Sequence, residues 1–232
     1  MNETAVAYIE VDGRSIAYRM RRGNVPTLAF LPGYASDMEG AKATALDAFA
    51  ASRGVGMLRL DYSGTGSSSG EFADGTLASW LDEVLAAIDR LTEGPVIVIG
   101  SSMGGWLALH FALLRPERVT ALVGIAAAPD FTNWGFPDGD TAGERGLARN
   151  FWDSGQRLLL LDEPISINCP VRLLHGELDT DVPLDVAFRT LRALRSADVQ
   201  LTVIKGGGHR LSEPHEIDAI LRTVEDLLES AS

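Results

Sequence analysis

Cysteine is almost absent from this sequence of 232 residues, in which Cys169 is the one example. A lone thiol excludes an internal disulfide and leaves too few ligands for a cysteine-based zinc site. Long apolar runs are also absent, since stretches such as residues 119–128 are too short to cross a bilayer and end in turn residues. We therefore predict no structural metal, no cofactor and no membrane span.

Basic residues are fewer than acidic ones: the sequence has 20 Lys and Arg residues and 32 Asp and Glu residues, which gives a formal net charge of −12. Such an excess of negative charge argues against nucleic acid or an anionic membrane as the main partner. Residues 1–4 show neither the basic start nor the apolar run of a signal peptide. From these features we expect a cytoplasmic protein.

Short apolar segments form the framework of the sequence. Residues 6–11 and 15–20 flank the dipeptide Asp12-Gly13, a strong hairpin signal. Most later segments are apolar without alternation, as expected for strands that are buried on both faces. They are residues 27–31, 55–61, 96–99, 119–126, 171–175 and 199–204.

Amphipathic or apolar segments between these strands predict helices. Residues 76–91 have apolar side chains at helical spacing and Thr76 as a possible cap, and residues 106–114 are apolar on every side. Residues 184–194 and 214–228 continue the series. The order predicts one α/β domain, residues 1–232, with a doubly wound, mostly parallel sheet of about eight strands after an antiparallel hairpin. Residues from about 130 to 168 are interpreted as a short cap insertion.

The segment Gly100-Ser101-Ser102-Met103-Gly104 follows one apolar strand and leads into the apolar helix. A serine at the centre of such a strand-turn-helix sits in a sharp turn that exposes its hydroxyl, and the flanking glycines let the helix pass close to the strand. We predict that Ser102 is a catalytic nucleophile. Ser101 is expected to point elsewhere as a structural hydroxyl.

A serine hydroxyl needs a base, and the base needs a carboxylate to orient it. His209 follows the last strand after three glycines, whereas His110 falls within the buried helix, His175 precedes the acid and His215 begins the last helix. Asp179 follows a strand end, and Glu177, Asp181 and Asp130 are its rivals. The order Ser102, Asp179, His209 is the order of this type of fold.

The remaining parts of the predicted site are an oxyanion hole and an acyl pocket. The backbone N–H groups of Met103 and Tyr34 are the predicted donors to the oxyanion, because one follows the nucleophile and the other lies in the turn after the third strand. Three aromatic residues of the cap, Trp134, Phe136 and Trp152, are predicted to line an apolar acyl site, with a small core inside the cap itself as the alternative.

Several motifs together resemble the α/β-hydrolase superfamily, and in particular the mitochondrial acyl-protein thioesterase and acyl-glucuronide esterase family with its bacterial relatives. The motifs are residues 31–34, 61–68, 100–107, 169–176 and 209–210. The resemblance implies an α/β-hydrolase fold and hydrolysis of esters or thioesters by Ser102, Asp179 and His209. It implies a small-molecule or acyl-protein substrate, and the protein is expected as a monomer or homodimer.

Two other functions use the same residues or the same fold. An aminopeptidase-like or oligopeptidase-like enzyme has the same three catalytic groups, and a ligand-binding receptor can retain them without chemistry. A dehalogenase would need aspartate in place of Ser102, which argues against that class.

Overall fold

The computed structural model describes residues 4–136, 138–144 and 146–230, and an eight-stranded sheet runs through this part of the chain. The apolar segments become strands with little change of boundary. The strands are β1 (Ala7–Val11), β2 (Arg14–Arg21), β3 (Asn24–Leu31), β4 (Val55–Leu60), β5 (Val96–Ser101), β6 (Val119–Ile125), β7 (Val171–Gly176) and β8 (Val199–Ile204).

The sheet has the strand order β1-β2-β4-β3-β5-β6-β7-β8. The pairs β1/β2 and β2/β4 are antiparallel, and the other pairs are parallel. The carboxyl ends of β3, β5, β6 and β7 therefore meet at one edge, where ligands bind sheets of this kind. The predicted fold class is confirmed.

Helices cover both faces of the sheet. They are α1 (Ala41–Arg53), α2 (Leu77–Leu91), α3 (Met103–Leu114), α4 (Phe131–Trp134), α5 (Gly139–Glu144), α6 (Arg149–Gln156), α7 (Leu184–Ala193) and α8 (Pro214–Ser230). Thr76 caps α2 as predicted, because its hydroxyl accepts from the N–H of Ser79 at 3.0 Å. No helix among the described residues is both long and apolar enough to span a membrane.

Two apolar cores lie on opposite faces of the sheet. One contains the apolar faces of α2 and α3, with Trp80 and Trp106 fully buried, and the other packs α1 and α8 against the sheet. Strands β3, β5 and β6 contribute to both cores, which explains their unbroken apolar sequence. Strand β8 differs, because it is an edge strand whose residues are half-buried or exposed.

The segment from about 130 to 168 lies at the carboxyl edge of the sheet and contains α4, α5 and α6. Asp130 holds its two ends together. The buried Asp130 carboxylate accepts from the N–H of Leu160 at 2.9 Å and from the N–H of Leu161 at 2.7 Å. The chain between these residues is thereby closed into a loop over the strand ends.

Candidate active site

Ser102 lies between the last residue of β5 and the first residue of α3, in a backbone conformation of φ 53° and ψ −120°. This left-handed region is costly for a residue with a side chain, and such strain recurs at functional sites. The N–H of Ser102 donates to the carbonyl of Ile125 at 2.9 Å, and its carbonyl accepts from Ala128. Strand β6 and the residues that follow it therefore hold the turn in place.

The turn around Ser102 requires glycine where α3 passes over the sheet. A Cβ on Gly100 would lie 2.2 Å from the carbonyl oxygen of Gly104, and a Cβ on Gly104 would lie 2.1 Å from that of Leu31. Both distances are far below van der Waals contact. The glycines flanking Ser102 thus allow the close approach that aims its hydroxyl above the sheet.

Ser102, His209 and Asp179 form a chain of hydrogen bonds. His209 Nε2 lies 3.0 Å from Ser102 Oγ, and His209 Nδ1 lies 2.9 Å from Asp179 Oδ2. An ionised carboxylate only accepts, so Nδ1 carries the ring proton and donates it to Asp179. The lone pair of Nε2 then faces the hydroxyl of Ser102 and can accept its proton.

Asp179 is fixed by groups other than His209. Its side chain is fully buried, and Oδ1 accepts from the N–H groups of Asp181 at 2.9 Å and Val182 at 2.8 Å. Burial raises the pKa of Asp179, but the bonds from His209, Val182 and Asp181 outweigh it and lower the pKa below its ordinary value. Asp179 is therefore ionised at neutral pH.

Beneath Asp179 lies His175, which is buried and does not contact Ser102. His175 Nε2 donates to the carbonyl of Val182 at 2.9 Å and lies 3.4 Å from Asp179 Oδ2. Because Val182 also donates its N–H to Asp179, the imidazole of His175 braces the turn that presents the carboxylate.

The rival carboxylates have other contacts. Glu177 accepts from the N–H of Gly206 at 3.0 Å, Asp181 is exposed, and Asp130 closes the cap segment. The other two histidines also lie apart from Ser102. His110 is buried in α3 and contacts the carbonyl of Leu158 at 2.9 Å, and His215 is exposed in the first turn of α8.

The turn after β3 passes directly beside Ser102. A Cβ on Gly33 would lie 3.2 Å from the Cβ of Ser102, which brings the neighbouring Tyr34 next to the hydroxyl. Within the part of the chain that is described, the N–H groups of Tyr34 and Met103 donate to no protein acceptor. Both are thus available to an oxygen atom bound at Ser102, and that of Met103 is at the N-terminus of α3.

Two cavities meet at Ser102 and share Tyr34, Asp181 and His209. The larger, of about 570 Å³, is polar and includes Asp37, Lys42, Arg210 and Ser212 in its wall. We call the smaller, of about 300 Å³, the apolar cavity: apolar side chains of Met103, Ala128, Phe131, Trp134, Phe136 and Val182 line it, together with Thr180, Asp181 and His209. A bound substrate thus has a polar and an apolar compartment on either side of the serine.

The three aromatic residues predicted for the acyl site separate into two groups. Trp134 and Phe136 line the apolar cavity, and the indole N–H of Trp134 donates to the carbonyl of Pro129 at 2.7 Å. Trp152 is not among the described residues that line it. Its indole N–H instead donates to the carbonyl of Phe136 at 3.4 Å, and the guanidinium of Arg149 lies over its ring.

Three contributors to the site were not expected from the sequence: the ring of Phe131, the imidazole of His175 and the hydroxyl of Tyr62. Fully buried Tyr62 donates to the carbonyl of Pro32 at 2.9 Å, in the turn that carries Tyr34. The sequence does contain one signal for it, since Tyr62 directly follows the end of a predicted strand. Its bond to a residue 30 positions away has no local signature.

A family model described as the alpha/beta hydrolase fold matches residues 26–142. The chain belongs to the α/β-hydrolase family. This relationship confirms both the resemblance that the motifs indicated and the prediction that the chain is a hydrolase.

The chain is similar to a mitochondrial palmitoyl-protein thioesterase, ABHD10, from several mammals. The Mus musculus protein is 37% identical over 238 residues, covering 94% of this chain and 80% of the relative. The solved structure of mouse alpha/beta hydrolase domain-containing protein 10 superimposes with a TM-score of 0.93 at 36% identity, covering 98% of this chain and 100% of that one. A protein of Agrobacterium vitis S4 matches with a TM-score of 0.89 at 36% identity, covering 97% and 98% of the two chains.

The expectation of a cytoplasmic protein is wrong by the same comparison. The mammalian relatives from Mus musculus and Homo sapiens are named as mitochondrial, the second being 37% identical over 94% of this chain and 78% of its own length. The expectation was based on composition, charge and the lack of a signal-peptide pattern in residues 1–4, and these features do not determine the compartment.

Proposed function

We propose that this protein hydrolyses carboxylic esters or acyl thioesters by acyl transfer through Ser102. The observation that carries the proposal is the chain of hydrogen bonds from Asp179 through His209 to Ser102, with lengths of 2.9 and 3.0 Å. The thioesterases among the relatives support the same class of reaction.

In the first step, Ser102 Oγ attacks the carbonyl carbon while its proton passes to His209 Nε2. The carbonyl oxygen becomes an oxyanion, and the N–H groups of Met103 and Tyr34 stabilise it. Asp179 keeps the imidazole in the required tautomer and stabilises the imidazolium that forms.

The tetrahedral intermediate then collapses, the bond to the leaving group breaks, and the leaving thiol or alcohol takes the proton from His209. Water repeats the sequence on the acyl-serine: His209 accepts the proton of the water, and the carboxylic acid departs as Ser102 regains its proton. We assign the acyl group to the apolar cavity and the leaving group to the polar one, because each then meets walls of its own polarity.

Labelling with a fluorophosphonate tests the nucleophile directly. We expect the wild-type protein to be labelled and Ser102→Ala to remain unlabelled and without esterase activity. Ser101→Ala is the matched control, since it removes the adjacent hydroxyl and should still be labelled. Equal labelling of wild type and Ser102→Ala would exclude the proposed mechanism.

A further inference from the structure

The proposed base, His209, lies in a segment whose main chain has little support. Among the described residues, the main chain of residues 208–212 makes one hydrogen bond to another protein group, in which Lys42 Nζ donates to the carbonyl oxygen of Arg210. The three glycines before His209 add no side chains that would restrict the backbone. The position of the imidazole therefore depends on few contacts, and the bond from Lys42 is made to the very next residue.

The peptide that Lys42 holds is part of a strained turn. Leu211 has φ 42°, a left-handed conformation that is costly for a residue with a side chain and persists only where the surrounding structure imposes it. The oxygen bonded by Lys42 belongs to the peptide between Arg210 and Leu211, and the φ angle of Leu211 helps to set the orientation of that peptide. The Leu211 side chain is 1% exposed, in the core that packs α1 and α8 against the sheet. Lys42 and this core thus hold the turn after His209 from two sides.

Lys42 is the second residue of α1, a position that does not by itself favour a lysine. The N-terminus of a helix carries partial positive charge, which repels an ammonium group. Burial and the charge of Arg210 lower the pKa of Lys42, whereas the buried carboxylate of Glu216 raises it. The groups that stabilise the ammonium are therefore that carboxylate and the carbonyl of Arg210, and both belong to the chain that follows His209.

We propose that Lys42 is a positioning residue for His209: its ammonium holds the peptide between Arg210 and Leu211, and this peptide keeps the imidazole aligned with Ser102. This role rests on the proposed function at Ser102, since even a small misplacement of a catalytic group lowers the rate. Lys42 also lines the polar cavity, so a direct contact between its ammonium and an anionic substrate is the alternative that the experiment must separate.

Lys42→Met tests this role, because methionine keeps an unbranched side chain and has no N–H to donate. General base catalysis contributes about 10²–10⁴, so a displaced base should lower kcat for p-nitrophenyl butyrate, and the rate of fluorophosphonate labelling, by about tenfold with KM unchanged. Both reagents are uncharged, so a lysine that only binds an anionic substrate would leave both rates as in the wild type.

Proton NMR of the free protein gives a second measurement that involves no substrate. The Nδ1 proton that His209 donates to Asp179 should give a downfield signal in the wild type, and this signal should be broadened or lost in Lys42→Met. Unchanged rates with an unchanged signal, or a change confined to KM, would overturn the role of Lys42.

Lys205→Met is the matched control, because Lys205 is the other lysine of the sequence, directly follows β8 on the way to His209 and has a side chain that is 92% exposed. It should match the wild type in every measurement. Lys42→Arg keeps both the charge and N–H donors, so its kcat should stay within about threefold of the wild type, and a loss of about tenfold would overturn the role whether or not Lys42→Met folds. Hydrolysis that persists in Ser102→Ala would instead overturn the proposed function.

Discussion

The residues around Ser102 form two groups: those that we propose to take part in catalysis, and those that hold them in position. Ser102, His209 and Asp179 are joined by hydrogen bonds, but their positions depend on buried groups that do not touch a substrate. His175 braces the turn of Asp179 through the carbonyl of Val182. Tyr62 has a comparable place beneath the turn of Tyr34, where its hydroxyl donates to Pro32.

Removal of the Tyr62 hydroxyl should impair the oxyanion donor that we propose in the neighbouring turn, the N–H of Tyr34. In Tyr62→Phe the ring stays stacked on Trp80, 5.2 Å between centroids, but Pro32 loses its donor and the peptide before Gly33 is free to rotate. A complete oxyanion donor is worth about 10²–10³ in kcat, so a displaced one should cost about tenfold. Steady-state kinetics should show this fall in kcat with KM unchanged.

The control for this variant is Tyr8→Phe, which removes a hydroxyl from a side chain that is 54% exposed on β1. It should leave both constants as in the wild type. A Tyr62→Phe enzyme with normal kcat, or with a change confined to KM, would show that the hydroxyl has only a structural role.

Among the strands and helices, those that are formed by local sequence patterns could be predicted. Those that depend on contacts between residues far apart in the sequence could not. Strands β3, β5 and β6 and helix α3 are buried over most of their length, and their largely apolar sequence revealed them. Helices α4, α5 and α6 are short and depend on distant contacts, such as the bond from the N–H of Ala78 to Ser154 Oγ at 3.0 Å. Helix α6 does have an amphipathic pattern, with Phe151, Ser154 and Gly155 buried, but its eight residues are too few to predict a helix from that pattern alone.

The same distinction applies to the site. Ser102 and His209 could be predicted because each follows a strand end in a glycine-rich turn, and strand ends converge at one edge of a parallel sheet. The wall of the apolar cavity could be predicted only in part. Phe136 and Trp152 are both aromatic residues of the cap, and only the packing of α6 determines that one faces the cavity and the other does not.

Asp130 should be the group that keeps the cap segment closed. In Asp130→Asn one oxygen is replaced by an NH₂ group that cannot accept, so the N–H of Leu160 or Leu161 loses its partner. A buried N–H without an acceptor costs about 1–3 kcal/mol. We expect faster hydrogen exchange at residues 158–161, measured by mass spectrometry, while exchange in β5 and β6 stays slow.

Asp162→Asn provides the comparison for Asp130→Asn, because Asp162 is close in sequence and its side chain is 70% exposed. Its exchange pattern should match the wild type. If Asp130→Asn also matches the wild type, the carboxylate does not hold the cap segment closed.

For the molecule as a whole, buried acidic groups link stability to pH. Glu83 on α2 is fully buried, and its Oε2 accepts from the N–H of Ser63 at 2.9 Å. Its Oε1 forms an ion pair with Arg14 Nε at 3.2 Å, but the geometry is not that of a hydrogen bond. Burial raises the pKa of Glu83 above the ordinary value of 4.5, although Ser63 and Arg14 partly offset it. Burial likewise raises the pKa of Asp61 and of Asp130. Burial lowers the pKa of His110, so the contribution of His110 to stability rises with pH, whereas those of the raised acids fall.

A comparison of wild type with Glu83→Gln isolates one of these groups. Between pH 4.5 and the raised pKa, the native state binds the Glu83 proton more tightly than the unfolded state, so its contribution to the free energy of unfolding falls as pH rises. Glutamine keeps the acceptor for Ser63 but does not titrate. Urea unfolding of both proteins from pH 4.5 to 8 should show wild-type stability declining relative to Glu83→Gln across the lower part of the range and a constant difference above it. Since any packing change in the variant is independent of pH, a constant difference over the whole range would mean that the pKa of Glu83 is not raised by folding.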